Sequence, residues 1–190
     1  MCIVVSVERH SKRVLILNMV LDNGFLRFML LTQGNQRRKK ESFWNDVFHL
    51  VSCIPLNEMV VLAGDRNGDI GSCNIGYDEM HGGFGYGDRN ADGSRILEFA
   101  DRLKLVICNP LFMLQESQLV TYAASPVKST VDYIIVQQED KAKVHNVSVI
   151  PNEECVPKHK LLVMDIQFNT TKRWHKKFEP RVCVLKEEKT

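Results

Sequence analysis

The chain has 190 residues, 44% of them hydrophobic, enough for one domain with a core of its own. Its 25 Lys and Arg against 23 Asp and Glu leave a net charge of +2, so no overall field argues for nucleic acid. No run approaches the roughly 20 apolar residues that cross a bilayer, and MCIVVSVERH at the N-terminus lacks the basic lead of a signal peptide, so no membrane partner is expected.

The six cysteines are scattered, without a Cys-x-x-Cys pair or a zinc-finger spacing. This pattern predicts an intracellular protein, nuclear or cytoplasmic, with reduced thiols. Cys53 and Cys108 lie inside apolar runs and are expected to be buried.

Val4 to Val7 and Val14 to Leu21 are rich in aliphatic residues. LDNG then supplies a turn before FLRFMLL, which predicts three antiparallel strands. QGNQRRKKES is a basic connector. Phe43, Val47, Leu50, Val51 and Ile54 share one helical face, which predicts a helix over Glu41 to Cys53 that ends before Pro55. Glu58 to Ala63 reads as a buried strand. A glycine-rich loop follows over 68–93, and Ser94 or Asp92 is placed to cap a helix whose inner side is Ile96, Leu97, Ala100 and Leu103. LVIC, LVTY, VDYIIV, VHNVSVI and LLVMDIQF read as further strands, the last ending at Phe168. The body, 1–168, is therefore an α/β domain. Residues 169–190 form a polar tail with seven basic and three acidic residues, expected to be poorly packed.

Four polar residues stand where buried strands begin or end. Asp65 and Asn67 follow VVLAG, Asp132 precedes YIIV, and His159 precedes LLVMDI. Strand ends that face a common crevice are where α/β enzymes place their chemistry. A carboxylate suits a hard cation such as Mg²⁺, and an Asp–His pair orients an imidazole and stabilises its charged form. Each residue alone also has a bland reading, as turn, cap or surface residue. HGGFGYG at 81–87 lacks the Lys-Ser/Thr of a phosphate-binding loop and reads as a surface loop. The remaining histidines show no ligand spacing and receive no role.

GDRN before a glycine-rich loop, then STVDYIIV, then PKHKLLVMDI, resembles the second half of an endonuclease/exonuclease/phosphatase domain, the fold of DNase I. HGGFGYGDRNADGSRILEFADRLKLVICNPLF is similar, more narrowly, to the endonuclease of RTE-type LINE retrotransposons. The likeness runs from about Val5 to Glu188 and is most specific between Val60 and Phe168. It implies a two-sheet sandwich flanked by helices, with its N-terminal part truncated. The implied reaction is Mg²⁺-dependent cleavage of a DNA strand by in-line attack of water. In this reading Asp65 aligns or deprotonates the water or holds metal, and Asn67 bonds nucleophile or phosphate. His159 stabilises phosphoryl charge, and Asp132 orients His159.

Several departures accompany the likeness. The remaining metal ligands of such a site, an asparagine and the glutamate of a Gln-Glu-Thr/Ser segment, would lie in the missing first half. Gln115-Glu116-Ser117 comes after GDRN instead of before it, and is expected to be a loop unrelated to metal. MLLTQGNQ stands in place of a Tyr-x-Pro strand end, and Pro157-Lys158-His159 in place of Ser-Asp-His. Arg66 occupies a position that is usually apolar, where a buried guanidinium is costly unless it reaches solvent or a carboxylate. The expectation is a retrotransposon-derived endonuclease-like protein, weak or inactive because half of its ligands are missing. DNA is the partner this reading implies, and exposed sheet edges would favour self-association. The rival reading is a non-catalytic nuclear or developmental interaction protein that keeps only the scaffold. A third is a decayed reading frame.

Overall fold

The computed structural model describes residues 2–21, 24–32, 38–55 and 57–168. The first three strands are β1 (Cys2–Arg9), β2 (Val14–Leu21) and β3 (Gly24–Leu31), paired antiparallel in chain order as their aliphatic content predicts. Helix α1 (Arg38–Ser52) crosses over to β4 (Met59–Asp65), which runs parallel to β3. After the long glycine-rich loop come α2 (Ala91–Arg102) and β5 (Leu105–Ile107), then the short helix α3 (Glu116–Leu119). The hairpin β6 (Tyr122–Ala124) and β7 (Val127–Ser129) precedes β8 (Asp132–Gln137), β9 (Val144–Val156) and β10 (His159–Ile166).

Two sheets result, one of six strands in the order β1-β2-β3-β4-β8-β5 and one of four in the order β7-β6-β10-β9. Strand alternation divides the core between two layers. On β4, Val60 and Leu62 pack with Phe43, Val47 and Val51 of α1 and with Ile96, Leu97 and Ala100 of α2. Val61 and Ala63 point the other way, toward Val144 and Val147 of β9 and the partly buried Leu162 and Met164 of β10. The molecule is thus a mixed α/β two-sheet sandwich, with α1 and α2 on the outer face of the larger sheet.

Local expectations needed correction in a few places. The cap of α2 is Asn90, not Ser94 or Asp92, because its Oδ1 is the atom that accepts the Gly93 N–H. LVTY is a strand only at Tyr122, since Leu119 closes α3. Glu116 opens that helix, so Gln115-Glu116-Ser117 is not a plain loop. Cys108 is buried, which pushes its thiol up to about 12, whereas Cys53 is exposed beyond the apolar face of α1. No helix among the described residues is long and apolar enough to cross a membrane. The expectations for residues 169–190 lie outside the described residues.

Candidate functional site

Sheet order brings the four singled-out residues to one end of the sandwich. Antiparallel pairing of β4 with β8 sets Asp65 directly opposite Asp132. His159, the first residue of β10, reaches over from the smaller sheet, and its Nδ1 lies 2.9 Å from Asp132 Oδ2. Its ring meets the edge of Tyr122, 5.0 Å between centroids. Asn67 adopts a left-handed conformation, φ 48°, which Asn tolerates better than most residues. There it folds back on Asp65, its backbone N–H donating to Oδ1 at 2.8 Å and its side-chain Nδ2 to Oδ2 at 3.1 Å.

Each half of this cluster is held by buried or partly buried polar groups that sequence reasoning missed. Thr121 is fully buried, and its Oγ1 accepts the amides of both Val131 and Asp132 at 3.0 Å. Asn109 donates from Nδ2 to Asp132 O at 3.1 Å and accepts the Ile134 amide on Oδ1 at 3.0 Å. Asp69 ties the loop after Asn67 to the start of β8, accepting the Ser129 hydroxyl at 2.5 Å and the Thr130 amide at 3.2 Å. The buried Tyr133 hydroxyl donates to Gly68 O at 2.9 Å and also contacts Thr130 O. The one available signal was a polar residue inside an apolar run, as in VICNPLF and LVTY, because a buried polar group must find a partner.

His81, given no role from sequence, is the staple of the glycine-rich loop. It is fully buried, with Nδ1 accepting the Gly83 amide and Nε2 donating to Gly71 O, each at 3.0 Å. This fixes the neutral Nε2–H tautomer, and burial lowers its pKa from the ordinary 6.5. Below that value the unfolded chain takes up a proton that the folded chain resists. Stability should therefore be intact above pH 6.5 and fall as pH drops through the folded pKa. Urea midpoints across this range should show the decline in the wild type and less of it in His81→Gln.

Burial holds the Asp65 carboxyl above the usual carboxylate range. The Asn67 amide opposes that shift, and the facing charge of Asp132 adds to it. A raised carboxylate is a better proton acceptor near neutral pH, and an imidazole anchored by Asp132 is oriented to neutralise an anion. Asp65 is the residue here that could hold a Mg²⁺ ion, and its surroundings are already engaged. Asp65 spends both oxygens on Asn67, Asp132 is engaged by His159, and the described residues contain no group of three candidate ligands.

The two-sheet sandwich has the endonuclease/exonuclease/phosphatase, or DNase I-like, fold. Similar solved structures are the endonuclease domain of TRAS1, a telomere-specific non-LTR retrotransposon, and the 3′ phosphatase NExo from Neisseria, bound to product DNA hairpin. Each has a TM-score of 0.61 and covers 85% of this chain and 67% of its own, at 15% and 12% identity respectively. Among curated proteins the chain is similar to craniofacial development protein 2 of Bos taurus and of Tragulus javanicus, 32% identical over 123 residues in both. The match takes in 64% of this chain but only about a fifth of the length of those relatives. No protein-family model matches the chain.

Proposed function

We propose that the strand-end cluster is the phosphate-facing part of a DNA strand-cleaving site, and that cleavage by this chain is weak. One observation carries the reading: the Asp132–His159 pair stands beside Asp65 and Asn67 at one end of a nuclease-like sandwich. In this reading His159 neutralises a phosphoryl oxygen while Asp132 holds its ring. Asp65 accepts a proton from the attacking water, and Asn67 orients water or phosphate. Mg²⁺ enters as a weakly held ion, because a lone carboxylate that already accepts two hydrogen bonds is a poor ligand set. The likeness to a retrotransposon endonuclease supports a retroelement origin and DNA, met in the nucleus, as the partner. The outer edge of β1, with Ile3, Val5 and Val7 about half exposed, supports self-association by strand pairing.

A second reading, a non-catalytic interaction scaffold, is favoured by the lack of a three-ligand group among the described residues. Plasmid nicking in Mg²⁺ separates the two. Slow nicking by the wild type should fall at least roughly tenfold in Asp65→Ala and in His159→Ala. Nicking that survives both substitutions would move the site elsewhere, and none in the wild type would leave the scaffold reading.

A further inference from the structure

One row of residues crosses the site end of the smaller sheet. Direct pairing sets Tyr122 of β6 opposite Ser129 of β7 on one side and opposite His159 of β10 on the other. Residues directly opposite each other on antiparallel strands share a face of the sheet. Here that face is the one toward the larger sheet, because both flanking side chains reach across to it. His159 Nδ1 meets Asp132 of β8 at 2.9 Å, and the Ser129 hydroxyl donates at 2.5 Å to Asp69, in the loop that leaves β4. Tyr122 stands between these two crossings. Its ring is partly buried and meets the His159 ring edge-on, 5.0 Å between centroids with 67° between the planes. Both neighbours in the row are tied to carboxylates, whereas the Tyr122 hydroxyl makes no hydrogen bond among the described residues.

We propose that Tyr122 is a substrate-binding residue, its hydroxyl donating a hydrogen bond to a non-bridging oxygen of the phosphoryl group that His159 neutralises. The inference rests on the phosphodiester reading of the site and adds a second contact to it. Packed sheets lie about 10 Å apart, so a tyrosine standing on one carries its hydroxyl most of the way to the other. Neighbouring strands are about 5 Å apart, a spacing at which two donors can hold two oxygens of one tetrahedral group. The roles follow from position. His159, anchored by Asp132, supplies the charge, and Tyr122 is aimed by its ring contact with His159. A phenol hydroxyl bonded to a charged oxygen makes a roughly twofold stronger bond than to a neutral one, so a phosphoryl oxygen suits it better than a sugar or base edge.

Inorganic phosphate is the probe, added in EDTA so that metal plays no part, with the His159 ring followed by NMR. Phosphate should shift the His159 ring signals of the wild type. Tyr122→Phe keeps the ring and loses only the hydroxyl, and it should weaken phosphate binding roughly tenfold. Its plasmid nicking in Mg²⁺ should slow by a similar factor, and its phosphate-free His159 signals should match the wild type, which reports an intact ring contact. Wild-type phosphate affinity and nicking in Tyr122→Phe, with nicking still lost in His159→Ala, overturns the contact and leaves the site reading intact. A loss in Tyr122→Ala that is absent in Tyr122→Phe assigns the role to the ring, and likewise overturns the hydroxyl contact. Phosphate that leaves the wild-type His159 ring unmoved overturns the contact and the site reading together.

Discussion

Replacing Arg66 with Met should stabilise the protein, by about 3 kcal/mol. The Arg66 side chain is fully buried on the helix side of the larger sheet, and none of its three nitrogens has a hydrogen-bond partner among the described residues. Sequence reasoning allowed such a residue if it reached solvent or a carboxylate; among the described residues it hydrogen-bonds to neither, and only the charges of Asp65 and Asp132 favour its protonated form from a distance. Its guanidinium also lies over the Trp44 ring, 5.8 Å from Cζ to the centroid, an interaction worth only ~1–2 kcal/mol against the desolvation of a full charge. Methionine keeps an unbranched stem of similar reach without the buried donors. A pH arm sharpens the test, because burial depresses the guanidinium to about 9. Above that pH the native side chain is neutral while the unfolded one stays charged, so wild-type stability rises with pH and the gap to Arg66→Met narrows. Chemical denaturation on either side of pH 9 checks both parts. A destabilised variant at neutral pH would show that Arg66 is satisfied in solution.

Gly64→Ala should have the opposite effect, a loss of about 3–5 kcal/mol. Gly64 sits at φ +126° between the end of the buried run and Asp65, and a Cβ there would lie 2.2 Å from the carbonyl oxygen of Leu31. Leu31 ends β3, whose parallel pairing with β4 reaches Leu30 and Ala63, so neither backbone can yield without unzipping the strands that carry the site. Gly76 provides the comparison. It also has a positive φ, +81°, but nothing lies within 4 Å of its Cβ position, and Gly76→Ala should cost only about 1 kcal/mol. Urea midpoints for the two variants decide the matter. Equal losses would mean that backbone conformation alone, and not the approach to Leu31, requires glycine at position 64.

By itself the sequence determined the local elements and the candidate residues. Aliphatic runs and apolar periodicity are properties of neighbouring positions, so β1 to β4, both longer helices, β8 and β10 were legible within a few residues, whereas β9 runs on to Val156, well past the apolar run that ends at Ile150. Asp65, Asn67, Asp132 and His159 were legible as strand-end polar residues for the same reason. Only the tertiary structure decided what each of them faces. Asp132 and His159 are 27 positions apart, and it is the order of strands in two sheets that sets them 2.9 Å from each other. The supports at Thr121, Asn109 and Asp69 bridge 10 to 61 positions and leave no periodic trace. Arg66 shows the same division. Its sequence position marked it as anomalous, but whether a long cation finds water, a carboxylate or nothing depends on the helices packed over it. Side-chain partners in a folded chain are chosen by the assembled layers, whereas a strand or an amphipathic helix is already written in the spacing of its own residues.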